Sequence, residues 1–176
     1  MRTYKTEGII IKRSNFGEAD RILTVFTKKH GKMKILAKGV RRITSRRGPN
    51  IELFNLVTLF VHKGRTFDIL TEAQVANTFQ RIRKNLELVG LAYYCCELID
   101  GLCAEHQPHP KVYDLLAKTL NELNNGLIHE FERTLLLELG FLSLTKQPVD
   151  TTSYIEHLLE RKLKTRRLLA KLGSVD

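Results

Sequence analysis

The polar and apolar positions of this chain follow a period of two in its first half and a longer period in its second. "KMKILAK", residues 32–38, sets Met33, Ile35 and Ala37 on one side and Lys32, Lys34 and Lys38 on the other, the alternation of a half-buried strand. Before it, "TEGIIIKRS" is β-branched and extended, and "SNFGEAD" supplies turn chemistry. "RILTVFT" is apolar on both alternating faces, as expected where a sheet curls on itself, and "KKHGK" is a tight turn around Gly31. "LFNLVTLFV", the turn "HKGR" and "TFDILTEA" follow. The pattern predicts five short strands within residues 1–76, with one long loop between the third and fourth. A small closed barrel is the economical way to hide the edges of such a sheet.

Near Val75 the period changes. "LELVGLAYYCCELIDGLC" is apolar nearly all round and predicts a central buried helix. "KVYDLLAKTLNELNNG" spaces Val112, Leu115, Leu116, Leu120 and Leu123 as a helix does and stops at Gly126. "LIHEFERTLLLELG" repeats the pattern through Ile128, Phe131, Leu135 and Leu139 and ends at Gly140. After a loop with Pro148, Ser153 and Glu156 have the spacing of a capping box for one last helix, "YIEHLLERKLKTRRLLAKL". The expectation is an α+β chain: a five-stranded barrel domain, residues 1–76, then an all-α helical bundle domain, residues 77–176.

Composition narrows the function classes. With 176 residues, 43% hydrophobic and 27% charged, the chain can bury the core of one domain or two small ones. No apolar run reaches the roughly 18 residues of a membrane span, and "MRTYKTEGIIIKRSN" has neither a signal peptide's apolar stretch nor a transit peptide's composition. A cytoplasmic protein with no membrane partner is expected. Cys95, Cys96 and Cys103 form no CxxC pair and predict reduced, buried thiols. Cys103, His106 and His109 offer only three metal ligands around a proline-broken segment, better suited to a helix end and a turn. A phosphate-binding glycine loop fails because Phe26 stands where its first glycine belongs, and no nucleophile elbow or His-Glu-x-x-His is present. Glu18 and Asp20 suit a turn between strands. No catalytic residue and no cofactor is expected.

Charge changes the picture most. The net charge is +10, and residues 1–80 carry all of it, 16 Lys and Arg against 6 Asp and Glu, whereas residues 81–176 balance at 13 against 13. From Arg21 to Ile51 no acid interrupts Lys28, Lys29, Lys32, Lys34, Lys38, Arg41, Arg42, Arg46 and Arg47. Such repulsion is relieved by solvent and salt or by a polyanion. The length of the run favours nucleic acid, gripped in one continuous groove along the third strand and the loop after it, with salt-sensitive affinity from counterion release. Phe16 and Phe67 are candidates for stacking on bases, although phenylalanines more often fill a core. A second cluster, Arg161, Lys162, Lys164, Arg166, Arg167 and Lys171, lies toward the end of the predicted last helix. It suits the helix dipole there and is also a possible second DNA contact.

Residues 6–42 resemble the N-terminal barrel of the bacterial RecO recombination mediators. The shared elements are Gly17-Glu18, Asp20-Arg21, Thr24-Val25-Phe26-Thr27, Gly31 and Ala37-Lys38-Gly39-Val40-Arg41. "YYCCELIDGL", "FERTLLLELGF" and "YIEHLLERKLKTRRLL" also resemble that family's helical region. The resemblance implies an oligonucleotide-binding (OB-fold) barrel that binds single- and double-stranded DNA and anneals complementary strands. It also implies assistance to RecA loading on strands coated by single-stranded-DNA-binding protein. The implied partners are RecR and the C-terminal tail of that coating protein, acting at the nucleoid. One departure stands out. Many members carry a four-cysteine zinc insertion after the segment matching "LELGFLSL", whereas here "TKQPVDTTS" runs on without a cysteine, so no bound metal is expected. The rival reading is an RNA-binding or ribosome-associated module on the same barrel.

Overall fold

The computed structural model describes residues 2–145 and 148–173. Strands β1 (Thr3–Phe16), β2 (Asp20–Thr27), β3 (Gly31–Ala37), β4 (Leu56–His62) and β5 (Asp68–Asn77) form a closed barrel in the order β1-β2-β3-β5-β4. The ladders are antiparallel except where β3 meets β5, a short parallel seam of Ile35 with Asp68 and Leu36 with Ile69 that closes the ring. β1 serves two neighbours: Thr3–Ile9 pairs with β4 and Gly8–Phe16 with β2, and a register shift between Ile10 and Lys12 lets it bend. Gly8 sits where the two ladders overlap. A Cβ there would lie 2.5 Å from Val25 Cγ1 and 3.0 Å from the Phe26 carbonyl oxygen, so the strands come this close only at a residue without one.

Ile10, Leu23, Val25, Met33, Ile35, Val57, Leu59, Val61 and Leu70 fill the barrel. The alternation of β3 holds for Met33, Ile35 and Ala37, which are buried, and for Lys34, which is exposed. Lys32 is buried instead, because residues 104–110 lie along the start of the strand. Glu105 bridges to Lys32 in the parallel sense and the His106 N–H donates to the Lys32 carbonyl at 2.9 Å. Gly31, at φ +70°, faces Gln107 so closely that a Cβ would stand 2.3 Å from its carbonyl oxygen. This segment comes from the helical half of the sequence yet belongs with the barrel. The chain groups into a first unit, residues up to Phe79 with Ala104–Pro110, and a second, Gln80–Cys103 with the residues from Lys111 on.

In the second unit a short helix α1 (Gln80–Arg83) precedes α2 (Leu86–Leu102), whose N-cap Asn85 accepts from the Glu87 and Leu88 N–H groups at 2.9 and 3.2 Å. α3 (Pro110–Glu122) ends before Gly126, because the Asn124 amide turns back onto the Glu122 carbonyl at 3.1 Å and Asn125–Leu127 makes one 3-10 turn. α4 (Ile128–Glu138) follows and closes at Gly140, φ +78°.

The single last helix expected from the sequence is two helices, α5 (Thr151–Leu159) and α6 (Lys164–Lys171). Asp150, not Ser153, is the N-cap of α5; it accepts from the Thr152 N–H at 3.0 Å and from the Ser153 hydroxyl. Glu156 is therefore not used in a capping box. Its carboxylate turns to the break, where Glu160 takes a left-handed conformation at φ 53°, and accepts from the Leu163 N–H at 3.0 Å. Of "TKQPVDTTS", Lys146 and Gln147 lie outside the described residues.

Candidate nucleic-acid interface

The loop after β3 is tied to the barrel by its own backbone and by two of its arginines. The Gly39 N–H donates to Asp20 at 2.7 Å, the Arg41 N–H to the Ala19 carbonyl at 3.0 Å, and Val40 is buried in the barrel cluster. The Arg41 guanidinium reaches the Gly17 carbonyl at 3.2 Å, joining the loop to the β1–β2 turn. Arg47 donates to the Leu70 carbonyl at 2.9 Å and to the Lys38 carbonyl at 2.8 Å, joining it to β5. A cleft of about 540 Å³ is lined by Asp20, Lys38, Arg42, Ser45, Arg46 and Arg47. Lys38, Arg41, Arg42 and Arg46 are exposed, while Arg47 is half-buried as a brace. Hydrogen bonds at both ends hold this cationic loop, so a phosphate drawn to it would cost little loop ordering.

The other sequence-predicted residues do not extend this loop into one strip. Lys28 and Lys29 are exposed on the β2–β3 turn, at the far end of that hairpin from residues 38–47. Between the two ends, Lys32 is buried and Lys34 is paired with Glu105 at 2.6 Å. The Lys34 ammonium beside it holds the Glu105 carboxyl below its usual range, against a smaller opposing effect of burial. The continuous groove along β3 is thus replaced by two basic ends separated by an internal ion pair. Phe16 is 46% exposed at the end of β1 and meets Phe67 edge to face, ring centres 6.3 Å apart.

In the second cluster, Arg161 pairs with Glu97 at 2.7 Å, Lys162 with Glu156 at 2.8 Å, and Arg166 lies 3.9 Å from Glu156. Because α6 starts at Lys164, residues Lys164, Arg166 and Arg167 occupy its first turn, where the helix dipole disfavours cations; only Lys171 sits near its C-terminus. The dipole rationale therefore fails for Lys164, Arg166 and Arg167, and holds for Lys171 at the end of α6 and for Arg161 and Lys162, which follow the C-terminus of α5.

Two of the acids that the local sequence pattern does not mark are Glu105 and Glu132. Nothing in the local pattern marks Glu105 as a partner of β3. Glu132 is buried on α4 and accepts from the Tyr94 hydroxyl, with His129 Nδ1 at 3.4 Å. Burial raises its carboxyl above the ordinary range, only partly offset by these hydrogen bonds. Cys95, Cys96 and Cys103 form no disulfide and are buried, and burial raises the Cys95 and Cys96 thiols. Among the described residues no three His, Cys, Asp or Glu side chains gather to hold a metal ion, and no helix is long and apolar enough to cross a membrane.

A five-stranded closed barrel of this strand order, with the long β1 shared between two ladders, defines the OB-fold class. Residues 1–79 match the family model described as Recombination protein O N terminal, and residues 83–145 match Recombination protein O C terminal. The chain belongs to the recombination protein O family. It is 39% identical over 145 residues to the DNA repair protein RecO of Roseiflexus sp. (strain RS-1), covering 80% of this chain and 51% of that protein. The protein of the same name from Desulforudis audaxviator is 35% identical over 145 residues, 80% of this chain and 58% of the relative. That from Dehalococcoides mccartyi (strain ATCC BAA-2100) is 36% identical over 143 residues, 78% and 56%. The chain spans little more than half the length of these relatives. The family models end at residue 145, so α5 and α6 lie beyond them.

Proposed function

We propose that this protein is a DNA-binding recombination mediator in DNA repair. It binds single- and double-stranded DNA, anneals complementary strands, and with RecR assists RecA loading on strands coated by single-stranded-DNA-binding protein, whose C-terminal tail it contacts. An OB-fold domain, residues 1–76, holds DNA, and a helical domain, residues 77–176, serves partners and the second strand. It acts by binding, without catalytic residues or a cofactor, in the cytoplasm at the nucleoid. The observation that carries this reading is the backbone-braced loop presenting Lys38, Arg41, Arg42 and Arg46 on one end of an OB barrel. Names of the relatives supply the DNA-repair context.

The test is annealing of two complementary DNA strands, bare and coated with single-stranded-DNA-binding protein, in the presence and absence of this protein. Acceleration of both reactions supports the reading. Unchanged rates, or tighter binding of matched RNA than of DNA in direct competition, would reject it in favour of an RNA-binding module.

A further inference from the structure

Ile43 stands at the apex of the arginine loop and is 105% exposed, more open than an isolated extended residue. Single exposed apolar residues are ordinary on protein surfaces, but the setting of this one is not. Arg42 precedes it, Arg46 follows within the same loop, and both are exposed. On either side the loop is braced, by Arg41 on Gly17 and by Arg47 on Leu70 and Lys38, while the Ser45 N–H closes a turn onto the Arg42 carbonyl at 2.9 Å. Ile43 itself buries none of its surface on the barrel, so the fold gains nothing from an apolar side chain there. A polyanion drawn to the flanking guanidinium groups would meet this side chain between them.

The geometry points to Ile43 as an apolar wedge that inserts against nucleobases at unstacked steps, and this rests on the DNA-binding reading above. Apolar side chains on basic elements act this way when they part a base step, at the cost of its stacking. One isoleucine buries too little apolar surface to open an intact, fully paired step with much to spare. The wedge therefore selects DNA whose stack is already weakened, at a mismatch, a frayed end or a single strand. Those are the substrates on which an annealing protein must act. The ligand class is an unstacked nucleobase flanked by phosphates.

The full chain is titrated with two duplexes, one fully paired and one with a single mismatch beside a 2-aminopurine. The wild type binds the mismatched duplex about five- to tenfold more tightly and brightens the 2-aminopurine, a preference within what burial of one isoleucine supplies. Ile43→Thr keeps β-branching and the wild-type affinity for the paired duplex, but loses the preference and the brightening, whereas Ile43→Leu retains both. Because nothing packs on Ile43, all variants melt with the wild type. An Ile43→Thr variant that keeps the preference overturns the wedge and leaves the DNA-binding reading standing, provided Arg42→Ala with Arg46→Ala still weakens both duplexes alike. A wild-type protein that binds neither duplex at low salt overturns both.

Discussion

Glu97 on α2 accepts hydrogen bonds from the backbone N–H and the hydroxyl of Thr165, at 2.9 and 2.6 Å, and so caps a helix that begins 67 residues later in the chain. The Lys164 N–H adds a third bond at 2.9 Å and the Arg161 guanidinium a fourth at 2.7 Å. α6 has no capping side chain of its own, since Leu163 precedes it. One carboxylate thereby replaces a local N-cap and also faces the positive end of the helix dipole.

Removing that carboxylate should loosen α6. Glu97→Ala is expected to destabilise the protein by about 1–3 kcal/mol, with Thr165→Ala near the lower end, because orphaned helix N–H groups and an unpaired Arg161 remain. Burial raises the Glu97 carboxyl, but the bonds from Thr165, Arg161 and Lys164 outweigh it and hold the group below its usual range. A depressed carboxylate stabilises the fold above the ordinary value near pH 4.3 and ceases to do so as pH falls through the lower folded value. Urea melts of wild type and Glu97→Gln from pH 7 down to 3 should converge in acid. A constant gap across that range would refute the cap's electrostatic role.

Three of the loop arginines should separate into two kinds. Arg47→Ala loses two charge-assisted bonds, to the Leu70 and Lys38 carbonyls, and should cost about 1–3 kcal/mol of stability. Arg42→Ala and Arg46→Ala should stay within about 0.5 kcal/mol of wild type. With the four exposed loop cations Lys38, Arg41, Arg42 and Arg46 engaged, log K for a single strand should fall against log salt with a slope of about −2.8, and the Arg42, Arg46 double variant should flatten it by about 1.4. A wild-type slope shallower than about −2 would argue against phosphate binding by this loop.

If DNA reaches β3, Glu105 competes with its phosphates for Lys34. Glu105→Gln should strengthen single-strand binding at low salt and steepen the salt slope by up to about 0.7, since one more cation becomes available. Identical titration curves for the two proteins would show that DNA does not reach β3.

Glu132 should contribute to stability in the opposite sense to Glu97. Its carboxyl is raised by burial, so the folded state holds a proton that the unfolded state releases above about pH 4.3, and stability falls as pH rises through that window. Glu132→Gln leaves an oxygen to accept from Tyr94 and removes the buried charge. Thermal melts should show the variant gaining on the wild type between pH 4 and 7. A gain in acid instead would mean that Glu132 is held ionised.

If the α6 cluster holds a second strand, Lys164→Glu with Arg167→Glu should slow annealing more than it weakens binding of one short single strand. Both substitutions fall in the first turn of α6, where acidic residues suit the helix dipole, so slower annealing would not reflect a dipole penalty. Stopped-flow annealing and a melt of the same variant decide the matter, and wild-type annealing would reduce the cluster to a solvated helix end.

Local pattern was enough where neighbours in sequence determine the outcome. The alternation of Met33, Ile35 and Ala37, the Gly31 turn and the all-round apolar α2 are encoded within a few residues, so strands, barrel and buried helix were legible in advance. So was the acid-free run that marks the first half as the cationic one. The segment 104–110 was not, because its backbone pairing to Lys32 and the Glu105–Lys34 ion pair join residues some 70 positions apart, with no periodicity to announce them. The break between α5 and α6 was hidden for the same reason: Glu97 caps α6 from another helix, and the sequence around Glu160 reads as continuous helix. Sequence by itself determined the strands, the buried α2 and where positive charge is concentrated, since these follow from propensity and composition. Only tertiary structure decided which cations face solvent and which are buried, braced or paired, because that depends on which distant carbonyls and carboxylates the closed barrel and the helices bring within hydrogen-bond reach.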